Sequence, residues 1–218
     1  MNASQALDDA KRLMCDIGER MYQRQLVAGS EGNLSLRSKD NEILCTPTGL
    51  CKGRLSPSDL CLVTPEGDPL AGDRSPSSEI KLHLEILHAR SDIQAVVHAH
   101  PPYATTLAVL KQPLPRAVTP ESEVFFGKVA IAHYETPGTK AFAETVLPFL
   151  SDSNACLLAH HGGVTYGNSL EHAYHLMEML EAHCRTIYLA RQLGEIPTIP
   201  AGKLPELVAL RKQLYSYE

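Results

Sequence analysis

Ala95-Val96-Val97-His98-Ala99-His100-Pro101-Pro102 is the stretch on which the reading of this chain turns. A short apolar run closed by two prolines reads as a buried strand that ends abruptly. Successive side chains on a strand alternate between faces, so His98 and His100 leave the strand end on the same side. Paired imidazoles are the beginning of a site for zinc or a similar divalent ion, and a catalytic zinc site takes three protein ligands plus an open position. The alternative for a lone His-x-His is two half-buried rings hydrogen-bonded to backbone. The rest of the chain decides between them.

Downstream, Ala155 to Ala159 is a second apolar run, and it leads into His160-His161-Gly162-Gly163. Adjacent residues leaving a strand point to opposite faces, so one of His160 and His161 joins a shared site while the other packs or holds the turn. The paired glycines are read as the bend that aims the ligand. Two strand ends thus offer three imidazoles. Upstream, Ser77-Ser78-Glu79 opens a helix whose Ile80, Leu84 and Leu87 mark one face through Ala89. Ser77 or Ser78 is its expected cap, and the unpaired amides of a first turn receive an anion such as a phosphate ester. Glu79 has an alternative partner in His83, one turn on along the same face.

The remaining elements fall around these. A helix is expected from Ser4, its cap, to about Val27, with Gly29 as the stop. Short strands follow over 32–37, 42–46 and 60–64, with turns at Pro47-Thr48-Gly49 and Glu66-Gly67-Asp68-Pro69. Tyr103 to Leu110 reads as a short helix, 112–123 with its prolines as an ordered loop, and Val129 to His133 as a strand. Gly138 to Phe149 reads as a helix and Val164 to Tyr166 as a last strand. A long helix capped by Asn168 or Ser169 runs to about Gln192, and another from Leu204 to Leu214 closes the chain. Early hairpin-like strands followed by strand–helix alternation predict a mixed sheet with helices on both faces.

The 218 residues suit one domain, 1–218, with a full core. A net charge of -5 and the lack of a basic stripe argue against nucleic acid as a partner. No apolar run approaches the roughly 18 residues of a membrane span, and the acidic N-terminus lacks a signal-peptide pattern. The six cysteines are scattered without a C-x-x-C pair, which reads as reduced packed thiols and a cytoplasmic setting.

Gly32-Asn33-Leu-Ser, Thr46-Pro-Thr48-Gly49, Ser77-Ser78-Glu79, Val96-Val-His98-Ala-His100 and His160-His161-Gly162 stand in an order that resembles the class II aldolase/adducin family. The likeness runs from about Ala3 to Arg191, and the branch acting on L-fuculose 1-phosphate is the nearest in pattern. The resemblance implies a three-layer α/β/α sandwich with a mixed, mainly antiparallel central sheet. It also implies a homotetramer with sites at subunit interfaces and a small sugar phosphate as the ligand. By the same resemblance His98, His100 and His161 hold Zn2+ or another divalent metal. Glu79 is the proton-moving acid/base and an additional metal ligand when substrate is absent, while Gly32, Asn33, Thr48, Gly49, Ser77 and Ser78 bind phosphate.

The implied reaction is reversible cleavage of a phosphorylated ketose to dihydroxyacetone phosphate and an aldehyde, through a metal-stabilised enediolate. Glu79 moves the proton at the enediolate carbon, a task that suits a carboxyl raised toward neutral pH. One departure stands out. The family aldolases use a tyrosine from a neighbouring subunit at the aldehyde oxygen, and the comparable stretch 114–123 contains none. Thr119, Glu121 or Glu123 are the available substitutes. The family also holds sugar-phosphate epimerases, decarboxylases of phosphorylated keto-sugar acids and non-catalytic adducin-like scaffolds. Glu79 where the epimerases resemble Ser-Ser-Asp favours the aldolase branch, and the full histidine set argues against a scaffold.

Overall fold

The structure is a computed structural model and describes residues 3–214. Its strands are β1 (Asn33–Arg37), β2 (Ile43–Cys45), β3 (Cys61–Val63), β4 (Pro69–Ala71), β5 (Ala95–Ala99), β6 (Ala130–Ala132), β7 (Ala155–Leu158) and β8 (Gly162–Gly167). They form one sheet in the order β4-β3-β2-β1-β5-β8-β7-β6, antiparallel throughout except for the β6–β7 pair. The helices are α1 (Ala3–Gln23), α2 (Ile80–Ala89), α3 (Pro102–Val109), α4 (Pro120–Phe125), α5 (Lys140–Glu144), α6 (Leu170–Leu193) and α7 (Leu204–Leu214).

Strand alternation builds the three layers. Leu34, Leu44, Val97, Ala99 and Leu157 share one apolar cluster with residues of α1, α3 and α6. Ile43, Val63, Val96, Cys156, Leu158 and Val164 share the other with α2 and α5. Because the side-chain period is two, a one-residue slip in any strand would exchange its two faces. The result is the α/β/α sandwich with a mixed, mainly antiparallel sheet. Among the described residues no helix is long and apolar enough to cross a membrane.

Several elements differ from the sequence expectation. Helix α1 stops at Gln23 rather than Val27, and Gly29 is not its terminator. Gln25 takes the left-handed conformation (φ 58°), while Leu26 N–H donates to Met21 O (2.9 Å) and Gln25 N–H to Tyr22 O (3.1 Å). That is a Schellman ending with glutamine in the position glycine usually takes. The helix also begins at Ala3, so Ser4 lies inside it. Pro69, expected in a turn, opens the edge strand β4, where a missing N–H costs no ladder bond. Within the expected loop 112–123, Thr119 caps α4 through Ser122 N–H (3.2 Å) and Pro120 occupies its first turn. Six residues are too few to show a helical period. The helix expected to reach Phe149 ends at Glu144 and gives way to a 3-10 turn at Leu147–Phe149 that contains Pro148. Ser169, rather than Asn168, caps α6.

Candidate active site

Register places the first two imidazoles. Across β1–β5, Asn33 lies opposite His98, and across β5–β8, His98 lies opposite Val164. His98 is fully buried, and its Nδ1–H donates to Gly163 O at 2.9 Å. His100, just past the strand, turns its Nδ1–H to Glu31 Oε2 at 2.9 Å. With both Nδ1 positions donating, the two Nε2 lone pairs face each other across 2.9 Å. Only a proton or a cation satisfies such a pair, so the donor set fits a metal ion.

The third imidazole comes from the β7–β8 turn. His160 carries that turn with φ 59°, is exposed, and stands edge-on to Tyr134 with ring centroids 6.1 Å apart. His161 instead stacks on His98 with centroids 4.8 Å apart and an interplanar angle of 8°. Ligand atoms of His98, His100 and His161 all lie within 4.8 Å of one another. The expectation that Gly162-Gly163 make the bend is corrected here, since both lie in β8. Their role is room: a Cβ on Gly162 would sit 2.4 Å from Ala99 O and 2.7 Å from the His100 ring.

Glu79 stands at the N-cap position of α2 without capping it. The expected serine cap is also shifted, since Ser77 Oγ accepts from Glu79 N–H at 3.2 Å. The carboxylate is thereby left for the imidazoles: Oε1 is 2.8 Å from His161 Nε2, and Oε2 is 3.4 Å from His98 Nε2. Asn33 Nδ2–H donates to Oε2 at 2.8 Å. Burial by itself pushes the Glu79 carboxyl up, but His98, His161 and the Asn33 amide together hold it below the usual carboxylate range. The direction is therefore opposite to the expected rise toward neutrality. His83 does not pair with Glu79. Its ring passes to Asn33 Oδ1 (2.5 Å) and Ser35 Oγ (2.7 Å) on β1, and burial lowers its pKa to about 4, leaving it neutral.

Of the other expected residues, Gly32 (φ 72°) lies where a Cβ would meet Val27 and His98 O, so glycine brings its backbone against the histidine strand. Segments 46–49 and 75–78 run side by side, with Thr48 N–H on Ser75 O and Ser77 N–H on Thr46 O, both at 3.1 Å. This brings Thr48, Gly49, Ser77 and Ser78 together beside Glu79, with Thr48, Gly49 and Ser78 exposed. Sequence reasoning missed two neighbours. Lys52 is buried and donates to Ser30 O (2.8 Å) and Leu50 O (2.6 Å), tying the Gly32 and Gly49 loops together. Burial lowers its pKa to about 8 against the pull of Cys51, Glu79 and Glu31. Glu31 orients His100 while accepting Ala28 N–H at 2.7 Å. Neither residue carries a sequence signal, because each acts through partners that only the folded loops supply.

A profile of the class II aldolase and adducin N-terminal domain matches residues 12–188. The chain belongs to the class II aldolase and adducin family. Its likeness is to the enzymes of that family, and it is one of them. It is 38% identical over 200 residues to 3-oxo-tetronate 4-phosphate decarboxylase of Escherichia coli O6:H1, covering 89% of this chain and 92% of the relative. It is also 38% identical over 175 residues to L-fuculose phosphate aldolase of Methanococcus maripaludis, covering 80% and 93%. Among solved structures, an L-fuculose 1-phosphate aldolase superposes with a TM-score of 0.87 at 31% identity, covering 95% of this chain and 97% of that one.

If Glu31 orients a metal-holding imidazole, Glu31→Gln lowers metal affinity by about 10- to 100-fold, the usual cost of losing such a partner. Competition with a chromogenic chelator measures this, and unchanged affinity would show that His100 is held by its backbone alone.

Proposed function

We propose that this enzyme breaks a carbon–carbon bond in a small phosphorylated ketose or keto-sugar acid, leaving the enediolate of dihydroxyacetone phosphate. The observation that carries the reading is the side chain of Glu79 set against His161 and His98 of the three clustered imidazoles. His98, His100 and His161 would hold a divalent ion, zinc in this reading, with Glu79 as a further ligand while substrate is absent. When bound, that ion supplies Lewis acidity to the ketone oxygen. In the cleavage direction the electron pair of the broken C–C bond forms the enediolate, and Glu79, having taken a proton from solvent, delivers it to the enediolate carbon. In the reverse direction, and in solvent exchange, the Glu79 carboxylate removes that proton from the carbon next to the ketone. Thr48, Gly49, Ser77 and Ser78, with the Gly32-Asn33 turn, hold the phosphate and so orient the fragment toward Glu79. The assembly in this proposal is a homotetramer in the cytoplasm.

Two reactions end at this enediolate. Aldol cleavage of a ketose 1-phosphate needs a group that moves the proton of the aldehyde oxygen. Loss of carbon dioxide from a keto-sugar-acid phosphate needs none, because the breaking bond leaves its electrons in the enediolate. The stretch that lacks tyrosine offers little in its place. Thr119 Oγ1 is occupied as the α4 cap, and Glu123 is buried with Arg116 (2.7 Å) and Ala117 N–H (2.6 Å). Burial alone would raise the Glu123 carboxyl, but those partners lower it, so it is no proton donor. Only the exposed Glu121 remains. We therefore rank decarboxylation first and aldol cleavage second.

The test begins with dihydroxyacetone phosphate alone in deuterium oxide, followed by NMR. Exchange of one prochiral proton is expected in the metal-loaded enzyme. Turnover of 3-oxo-tetronate 4-phosphate to carbon dioxide and dihydroxyacetone phosphate should then exceed that of L-fuculose 1-phosphate. The opposite ranking restores the aldolase, and a metal-loaded enzyme without any exchange removes the enediolate reading.

A further inference from the structure

We propose that His83 is a positioning residue for Glu79: its Nε2–H, relayed by the Asn33 amide, sets the direction in which the carboxylate is presented. The inference rests on the reading of Glu79 as the group that moves the substrate proton. It concerns residues of this chain only and needs no geometry for a metal.

Each step of the relay has a single polarity. A carboxylate only accepts, so the Asn33 group that faces Glu79 Oε2 at 2.8 Å is its NH2. Asn33 Oδ1 then faces His83 Nε2 at 2.5 Å, which obliges that nitrogen to carry the ring proton. His83 Nδ1 is left as an acceptor, and the Ser35 hydroxyl 2.7 Å away donates to it. All four residues are buried: Ser35 is 0%, His83 1%, Asn33 4% and Glu79 8% exposed. Burying this many polar groups is costly unless every one is paired, and here each of the four has a hydrogen-bonding partner.

The placement of the relay is what points to the chemistry. Asn33 and Ser35 lie two apart on β1, so both face α2, and Asn33 is the cross-strand neighbour of His98. Glu79 and His83 lie one turn apart at the start of α2, where a direct pair would satisfy them locally. Instead the imidazole reaches across to the strand and holds the amide that touches the carboxylate. Glu79 Oε2 is thereby held from β1 while Oε1 meets His161, so the carboxylate plane is held at both ends. A residue serving only the core would gain more from leucine at this position.

The experiment compares His83→Gln, His83→Asn, His83→Leu and Glu79→Gln in the full-length, metal-loaded protein. Metal content and thermal melting are measured for each. The readout is deuterium exchange into dihydroxyacetone phosphate by NMR, resolved into kcat and KM. Glutamine places its amide N–H near the Nε2 position and should keep at least about a third of the wild-type kcat. Asparagine reaches only the Nδ1 position, so it keeps Ser35 and loses Asn33. It should lower kcat by about 10- to 100-fold with KM nearly unchanged, the size expected when a reacting group is displaced by a fraction of an ångström. Leucine should match asparagine, and if it fails to fold, the glutamine–asparagine contrast stands by itself. Equal kcat in the glutamine and asparagine variants, while Glu79→Gln abolishes exchange, overturns the role of His83 and leaves that of Glu79 intact. Exchange retained in Glu79→Gln overturns the reading of Glu79, and this inference falls with it.

Discussion

Glu79→Gln lowers proton exchange into dihydroxyacetone phosphate, and turnover of the true substrate, by about 10²- to 10⁴-fold, the range for removal of a positioned acid/base. The fold is expected to survive. The Glu79 side chain does not cap α2, so the helix keeps its backbone ending and the Ser77 Oγ contact to the residue 79 amide. Glutamine also has the size of glutamate, so no cavity opens beneath the imidazoles. Its terminal group, however, has one acceptor where the carboxylate has two. One of the donors now served, His161 Nε2 or Asn33 Nδ2, loses its partner, which costs stability on the order of 1–3 kcal/mol. A thermal melt and inhibition by inorganic phosphate check the fold and the phosphate subsite, and NMR exchange checks the chemistry. A folded variant with near-normal exchange would reduce Glu79 to a structural partner of the histidines.

Alanine at His98, His100 or His161 should remove most of the bound metal, whereas His160→Ala should retain about one divalent ion per chain. Elemental analysis of the four purified proteins decides this. The contrast lies in adjacent residues: His161 stacks on His98, while His160 points to Tyr134 on the exposed side of the turn. Activity in the three depleted variants should fall below detection and should not return with added zinc. Equal metal retention in all four would discard both the site and the choice between the two neighbours.

Much of the architecture was legible from local patterns. Alternation along Leu34-Ser35-Leu36 and the apolar run from Ala95, closed by Pro101-Pro102, mark strands, and the apolar spacing of 170–192 marks the long helix. The small errors have particular causes. Gln25 ends α1 in a left-handed conformation that sequence rules assign to glycine, and α4 is too short to display a period. The glycine pair at 162–163 reads as a bend because glycine tolerates one. The structure uses it instead to let β8 lie against Ala99 and His100.

By itself, the sequence determined the mixed sheet with helices on both faces, the common side of His98 and His100, and the ordered motifs of the family. These rest on periods of two and 3.6 residues and on short-range spacing, which every stretch of chain carries within itself. The tertiary structure alone decided how His161 comes to stack on His98, and that Glu79 lies between His161 and Asn33. It alone decided that Glu31 orients His100, and that His83 reaches Ser35 and Asn33 rather than its own helix neighbour. Each of these is a contact between segments tens of residues apart. Strand register and the path of the helix over the sheet set such contacts, and no local period encodes either.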